Sequence, residues 1–103
     1  MARPREELQT VLENVLGTRE VYFQPPESFK LKYPCIIYEL SRIQNRKANN
    51  AIYLKNRQYT VTIIDEDCDT ELPDKLCARL EYCQFDRRFV SDNLYHDVFT
   101  VYF

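Results

Sequence analysis

One glycine occurs among the 103 residues, where a typical chain would carry about 7%, and it stands at position 17, directly after an apolar stripe of helical period. Leu8, Val11, Leu12, Val15 and Leu16 recur at i, i+3, i+4, i+7 and i+8, which predicts an amphipathic helix over residues 4–16. Pro4 fits its first turn, Glu6 and Glu7 complement the helix dipole, and Gly17 supplies the stop. Phosphate cradles of the P-loop or dinucleotide kind need several closely spaced glycines, so this chain has neither.

After the helix the pattern turns to strands. Val21, Tyr22 and Phe23 form a short β segment cut off by Pro25 and Pro26, and residues 24–34 read as an extended loop. Residues 35–43 are β-branched and aromatic, with Ile36, Tyr38 and Leu40 on one face and Glu39 and Ser41 on the other. Residues 44–50 read as a polar hairpin tip, followed by a strand over 52–65 with Tyr59, Val61 and Ile63 opposite Thr60 and Thr62. Ile52 and Leu54 break that phase. Either a bulge near Asn56 restores it, or the first part of the strand projects beyond the sheet.

Residues 65–69 form an acidic turn, and Thr70 is placed to cap a second helix running to about Tyr82 with Pro73 in its first turn. Leu72, Leu76, Leu80 and Cys83 mark its buried stripe. A strand over 84–90, a turn at Ser91, Asp92 and Asn93, and a closing strand over 94–103 complete the chain. The order α-β-β-β-α-β-β predicts one α+β domain over residues 1–103: a mostly antiparallel sheet of four to five strands with two helices on one face. Ile37, Ile64, Val90, Val98 and Tyr102 are expected on the other face, where apolar residues call for cover by another subunit.

Fourteen basic and sixteen acidic residues leave a charge of -2, without the basic excess of a protein devoted to nucleic-acid phosphates. No apolar run approaches the roughly 20 residues that span a bilayer. The segment from Met1 to Glu7 lacks the apolar core of a secretory signal, so a cytosolic site of synthesis is expected. Cys35, Cys68, Cys77 and Cys83 form no Cys-x-x-Cys pair for zinc and are expected as reduced thiols. The eight tyrosines and six phenylalanines, without tryptophan, suit either a core or protein interfaces.

No catalytic, metal or cofactor constellation emerges. The single histidine, His96, and Asp97 are neighbours on a strand and point to opposite faces, so Asp97 cannot orient the imidazole. Asp65, Glu66, Asp67 and Asp69 lack the glycine and distal glutamate of a calcium loop and read as a solvated turn before a helix. Arg42, Arg46, Lys47, Lys55 and Arg57 cluster around the first hairpin, with Lys30 and Lys32 upstream. This is a solvated tip, a charged arm for an acidic neighbour, or a single-strand nucleic-acid contact. Candidate interface residues are Arg42, Arg46, Lys47, Tyr53, Lys55, Arg57, Val98 and Tyr102.

Four strings carry a resemblance. They are Val21-Tyr22-Phe23-Gln24-Pro25-Pro26-Glu27-Ser28-Phe29-Lys30-Leu31-Lys32-Tyr33-Pro34-Cys35-Ile36-Ile37-Tyr38, then Arg57-Gln58-Tyr59-Thr60-Val61-Thr62-Ile63-Ile64-Asp65, then Leu72-Pro73-Asp74-Lys75, and Phe85-Asp86-Arg87 leading to Asp92-Asn93-Leu94. In this order they resemble the small tail completion, tail terminator or minor capsid proteins of phages and prophages of Gram-positive hosts, over nearly the whole chain. Residues 43–56 diverge from the pattern. The resemblance implies a virion protein, assembled in the bacterial cytoplasm, that forms a hexameric homo-oligomeric ring. That ring would cap the tail tube protein and present a surface to the head connector or neck protein in head-tail joining. It implies no enzyme activity, cofactor, membrane or sequence-specific nucleic acid.

Overall fold

The computed structural model describes residues 4–26, 30–47 and 53–103, and of 43–47 and 53–56 the backbone alone. The first helix, α1, spans Arg5–Leu16 and buries Leu8, Leu12 and Val15, the middle of the predicted stripe. Gly17 ends it at φ 83°, its amide donating to the Glu13 carbonyl at 2.8 Å. A Cβ there would meet nothing within 4 Å, so it is the left-handed backbone, not space, that calls for glycine. Elsewhere polar residues take positive φ: Gln24 at 46°, Asp92 at 53° and Asn93 at 63°.

Five strands form one sheet: β1 (Val21–Phe23), β2 (Cys35–Lys47), β3 (Tyr53–Asp65), β4 (Tyr82–Ser91) and β5 (Leu94–Tyr102). Their spatial order is β1-β2-β3-β5-β4. The β2–β3, β3–β5 and β4–β5 pairs are antiparallel, but β1 runs parallel to β2, so the sheet is mixed. The loop after β1 returns the chain to start β2 alongside it in the same direction, through a cis Tyr33–Pro34 bond. The second departure from simple hairpin succession is that β5 inserts between β3 and β4. The helix α2 (Leu72–Arg79) makes this crossover; it stops three residues short of the predicted end because Tyr82 is already in β4. The Thr70 hydroxyl accepts from the Leu72 amide at 3.3 Å, one position before Glu71, the capping residue.

Both helices lie on one sheet face. Leu8, Leu12 and Val15 of α1 and Leu72 and Leu76 of α2 join Ile36, Tyr38, Tyr59, Val61, Ile63, Phe99 and Val101 in one core. Tyr38 is fully buried, yet its hydroxyl accepts from Arg5 Nη1 at 2.9 Å and donates to Gln9 Oε1. Gln9 in turn donates to the Val21 carbonyl at 3.0 Å, tying α1 to β1 and β2. Burial pushes the Tyr38 phenol up against the opposing pull of Arg5, whose guanidinium also lies 4.5 Å from the Phe23 ring centre. A buried phenol needs such partners, because an unpaired polar atom in a core is costly.

The first hairpin is longer than its sequence implied. Residues 44–47, read as part of the tip, continue β2, and 48–52 lie outside the described residues. The register break falls not near Asn56 but in β2, at Ser41, whose hydroxyl donates to the Gln58 carbonyl at 2.9 Å. Strand β3 is unbroken from Tyr53 to Asp65. Strand β5 reaches only Gln58, with Phe103 and Arg57 exchanging backbone bonds just beyond it, so among the described residues 44–47 and 53–56 pair only with each other. They form a two-stranded arm projecting past the sheet, which is the second alternative of the sequence reading. No helix among the described residues is long and apolar enough to cross a membrane.

Candidate functional site

Strand alternation fixes what the helix-free face displays. One row across the sheet is Tyr22, Ile37, Thr62, Val98 and Arg87; the next is Glu39, Thr60, Thr100 and Gln84; a third is Arg42, Gln58, Tyr102 and Tyr82. Ile37, Val98 and Tyr102 are half-buried within this surface by their strand neighbours, and no helix covers it among the described residues. Threonines between the apolar rows make it mixed rather than greasy. Of the five residues expected here, Ile64 is buried, and Val90 belongs to the helix-bearing side, where it is exposed beyond the reach of α2.

The outer edge strand β4 adds Tyr82 and Phe89 to this surface. Tyr82, Phe85, Phe89 and Val90 are 39–60% exposed, which is high for four large apolar side chains on one strand. The strand bulges at Asp86, whose carboxylate accepts from Thr100 Oγ1 at 2.6 Å. The bulge leaves Phe85 on the helix-bearing side, exposed and edge-on to Phe99 at 5.4 Å, while Arg87 stands on the open face with its guanidinium 5.3 Å from the Phe89 ring. Bulges and charges on an edge strand limit indiscriminate pairing.

His96 stacks on Phe89, ring centres 4.6 Å apart and planes 12° from parallel, with Nδ1 3.1 Å from its own Leu94 carbonyl. Asp97 turns the other way and is gripped by Arg88, Nε to Oδ1 at 2.6 Å and Nη2 to Oδ2 at 3.0 Å. Hydrogen bonding to Asp97 raises the Arg88 guanidinium further above its ordinary value. The third guanidinium nitrogen donates to the Cys68 carbonyl at 2.8 Å, fastening the acidic turn to the sheet. In that turn the Asp65 and Asp67 carboxylates accept from the Asp67 and Asp69 amides. Asp67, Cys68 and Asp69 hold their ligand atoms within 4.8 Å of one another, all exposed.

The candidate interface residues divide into groups. Arg42, Val98 and Tyr102 share the open face, Arg42 and Tyr102 in one row at the base of the arm. Arg57 is exposed but alternates to the helix-bearing side. The backbones of Arg46, Lys47, Tyr53 and Lys55 lie along the arm, with Lys47 opposite Tyr53, and their side chains lie outside the described residues. Tyr82, Arg87 and Phe89, and also the Arg88–Asp97 pair, are not among the residues singled out from sequence. A signal for the pair was present: Asp97 shares the phase of Phe99 and Val101, and counting back across the Asp92–Asn93 turn places Arg88 opposite it.

Fold and surface together define a small α+β domain whose mixed sheet is covered by helices on one face and bears an aromatic, partly basic surface on the other. No protein-family model and no curated protein sequence matches the chain.

Proposed function

We propose that this chain is a structural subunit of a phage tail or tail-like particle, acting at the head-proximal end as a tail terminator or head-tail joining protein. In this reading it closes into a hexameric ring that caps the tail tube and meets the neck. The observation that carries the assembly role is the helix-free sheet face: Ile37, Val98 and Tyr102 lie on it beside an edge strand bearing exposed Tyr82 and Phe89. Apolar surface of this kind marks protein contact. The resemblance of the four strings directs the reading to tails, and the projecting arm supports it by offering a second contact on a different part of the molecule. A ring needs such non-equivalent patches, because its contacts are heterologous.

Light scattering on the purified protein, alone and with tail tube protein, tests the reading. A ring or a tube complex is expected; a strict monomer that also fails to bind tube protein would sink it. One observation favours a runner-up: Arg42, Tyr102 and Tyr82 align in one row below the basic arm, an arrangement suited to phosphate contact and base stacking. Salt-sensitive retention of single-stranded DNA or RNA would select that alternative.

A further inference from the structure

Cys77 lies on the exposed side of α2, and Cys83 is the second residue of β4. Only Leu80 and Glu81 separate the helix from the strand, and this tight reversal brings the two Sγ atoms to 3.3 Å. We infer that Cys77 and Cys83 form a modification site: a dithiol that peroxide-class oxidants convert into an intramolecular disulfide. The inference stands on this corner of the fold and is independent of the assembly reading.

The two thiols differ in the way such a site requires. Cys77 is exposed and meets the oxidant first; Cys83 is half-buried against the core. Burial, helped by the hydrogen bond with Cys77, pushes the Cys83 thiol up to about 12, so Cys83 is not the sulfur oxidised first and enters as the second partner. Cys77 gives up its proton as its sulfur attacks the peroxide; an S–O bond forms as the O–O bond breaks, and the leaving hydroxide takes that proton and departs as water. The Cys83 sulfur then attacks the Cys77 sulfur. The S–S bond forms, the S–O bond breaks, and the hydroxyl leaves with the Cys83 proton as a second water. Two thiols are oxidised by two electrons and one peroxide is reduced. The other thiols are placed differently: Cys35 is fully buried, and Cys68 stands in the acidic turn.

The bond would join the exit of α2 to the start of the edge strand. That corner borders a shallow depression of about 270 Å³ lined by Tyr82, Gln84 and Tyr102 on the open face. A reducing cytosol keeps such a pair open, and an oxidising exterior closes it.

The test treats the reduced full chain with hydrogen peroxide at neutral pH, then counts thiols and maps peptides. Two of the four thiols should disappear, the mass should fall by two hydrogens, and one cross-linked peptide should join Cys77 to Cys83, reversibly with dithiothreitol. Cys77→Ser, at an exposed position, should abolish the cross-link, and Cys68→Ser should retain it. A bond to Cys68 or Cys35, cross-linking between two chains, or accumulation of Cys77 sulfinic acid in place of the bond would overturn the inference.

Discussion

Arg88 and Asp97 face each other across the β4–β5 hairpin in a forked contact, and Asp97 is 1% exposed while Arg88 keeps 36% of its side chain in water. The carboxylate is therefore a buried charge whose partner spans core, acidic turn and solvent. Removing a partner from such a pair costs roughly 3–5 kcal/mol, because the remaining charge is left uncompensated. Arg88→Met is expected toward the lower end, since water reaches the site, and Arg87→Met on the open face should cost far less. Urea denaturation midpoints compare the two; equal effects would show that Asp97 does not depend on Arg88.

Positive φ without glycine gives a second expectation. Gly17→Ala, with open space around its new methyl group, should cost about 1–2 kcal/mol through left-handed backbone alone. Asn93→Gly should instead be neutral or stabilising, because a two-residue turn with positive φ at both positions favours glycine second. Asn93→Val should cost more than Asn93→Ala, the branched side chain being the worse fit. Thermal unfolding of the three Asn93 variants ranks them directly; a Val variant as stable as the Gly variant contradicts the turn geometry.

Alkaline pH should weaken the fold in a defined window. Burial pushes the Cys35 thiol from an ordinary 9.0 up to about 12, and Cys83 rises likewise. Both groups favour the protonated form in the native state, so their contribution is intact below about pH 9 and is lost as pH climbs toward about 12. Tyr22 acts in the same sense from pH 10 upward, its phenol raised to about 12 by donation to Glu20. Denaturation midpoints under reductant should be flat in these groups between pH 7 and roughly 8.5 and then fall. A stability that rises above pH 9 contradicts the assignment of these thiols as buried and neutral.

Where local chemistry decides an element, the sequence is readable. The stripe from Leu8 to Leu16 with Gly17 behind it marks α1 within a residue, and the Asp92–Asn93 turn sets the register of β4 against β5. Contacts between distant segments are harder. Val21, Tyr22 and Phe23 are too few to carry a period, and their parallel pairing with β2 depends on the path of the loop over 24–34. The insertion of β5 between β3 and β4 is likewise non-local, and α2 could have packed over either neighbour. The Ser41 bulge hides in a polar stretch where alternation gives no contrast. Of the surface, Val98 and Tyr102 are readable from phase alone, but the exposure of Tyr82 and Phe89 follows from β4 being an edge, which only the strand order decides.

The open face yields the expectation closest to the proposed role. Val98 sits between Thr62 and Arg87 in one row, and Tyr102 between Gln58 and Tyr82 in another, so both are held by strand pairing rather than by the core. Val98→Glu and Tyr102→Glu should then leave monomer stability within about 1 kcal/mol, the span of strand propensities in a host sheet. Each should nevertheless shift the mass distribution in light scattering toward monomer, because a carboxylate buried in a contact without a partner opposes association. Val90→Glu is the matched control: it is 60% exposed on the helix-bearing side, and it should assemble as the parent does. If the Val98 and Tyr102 variants associate unchanged while Val90→Glu does not, the contact lies on the other side of β4, and the open face is ordinary solvated sheet.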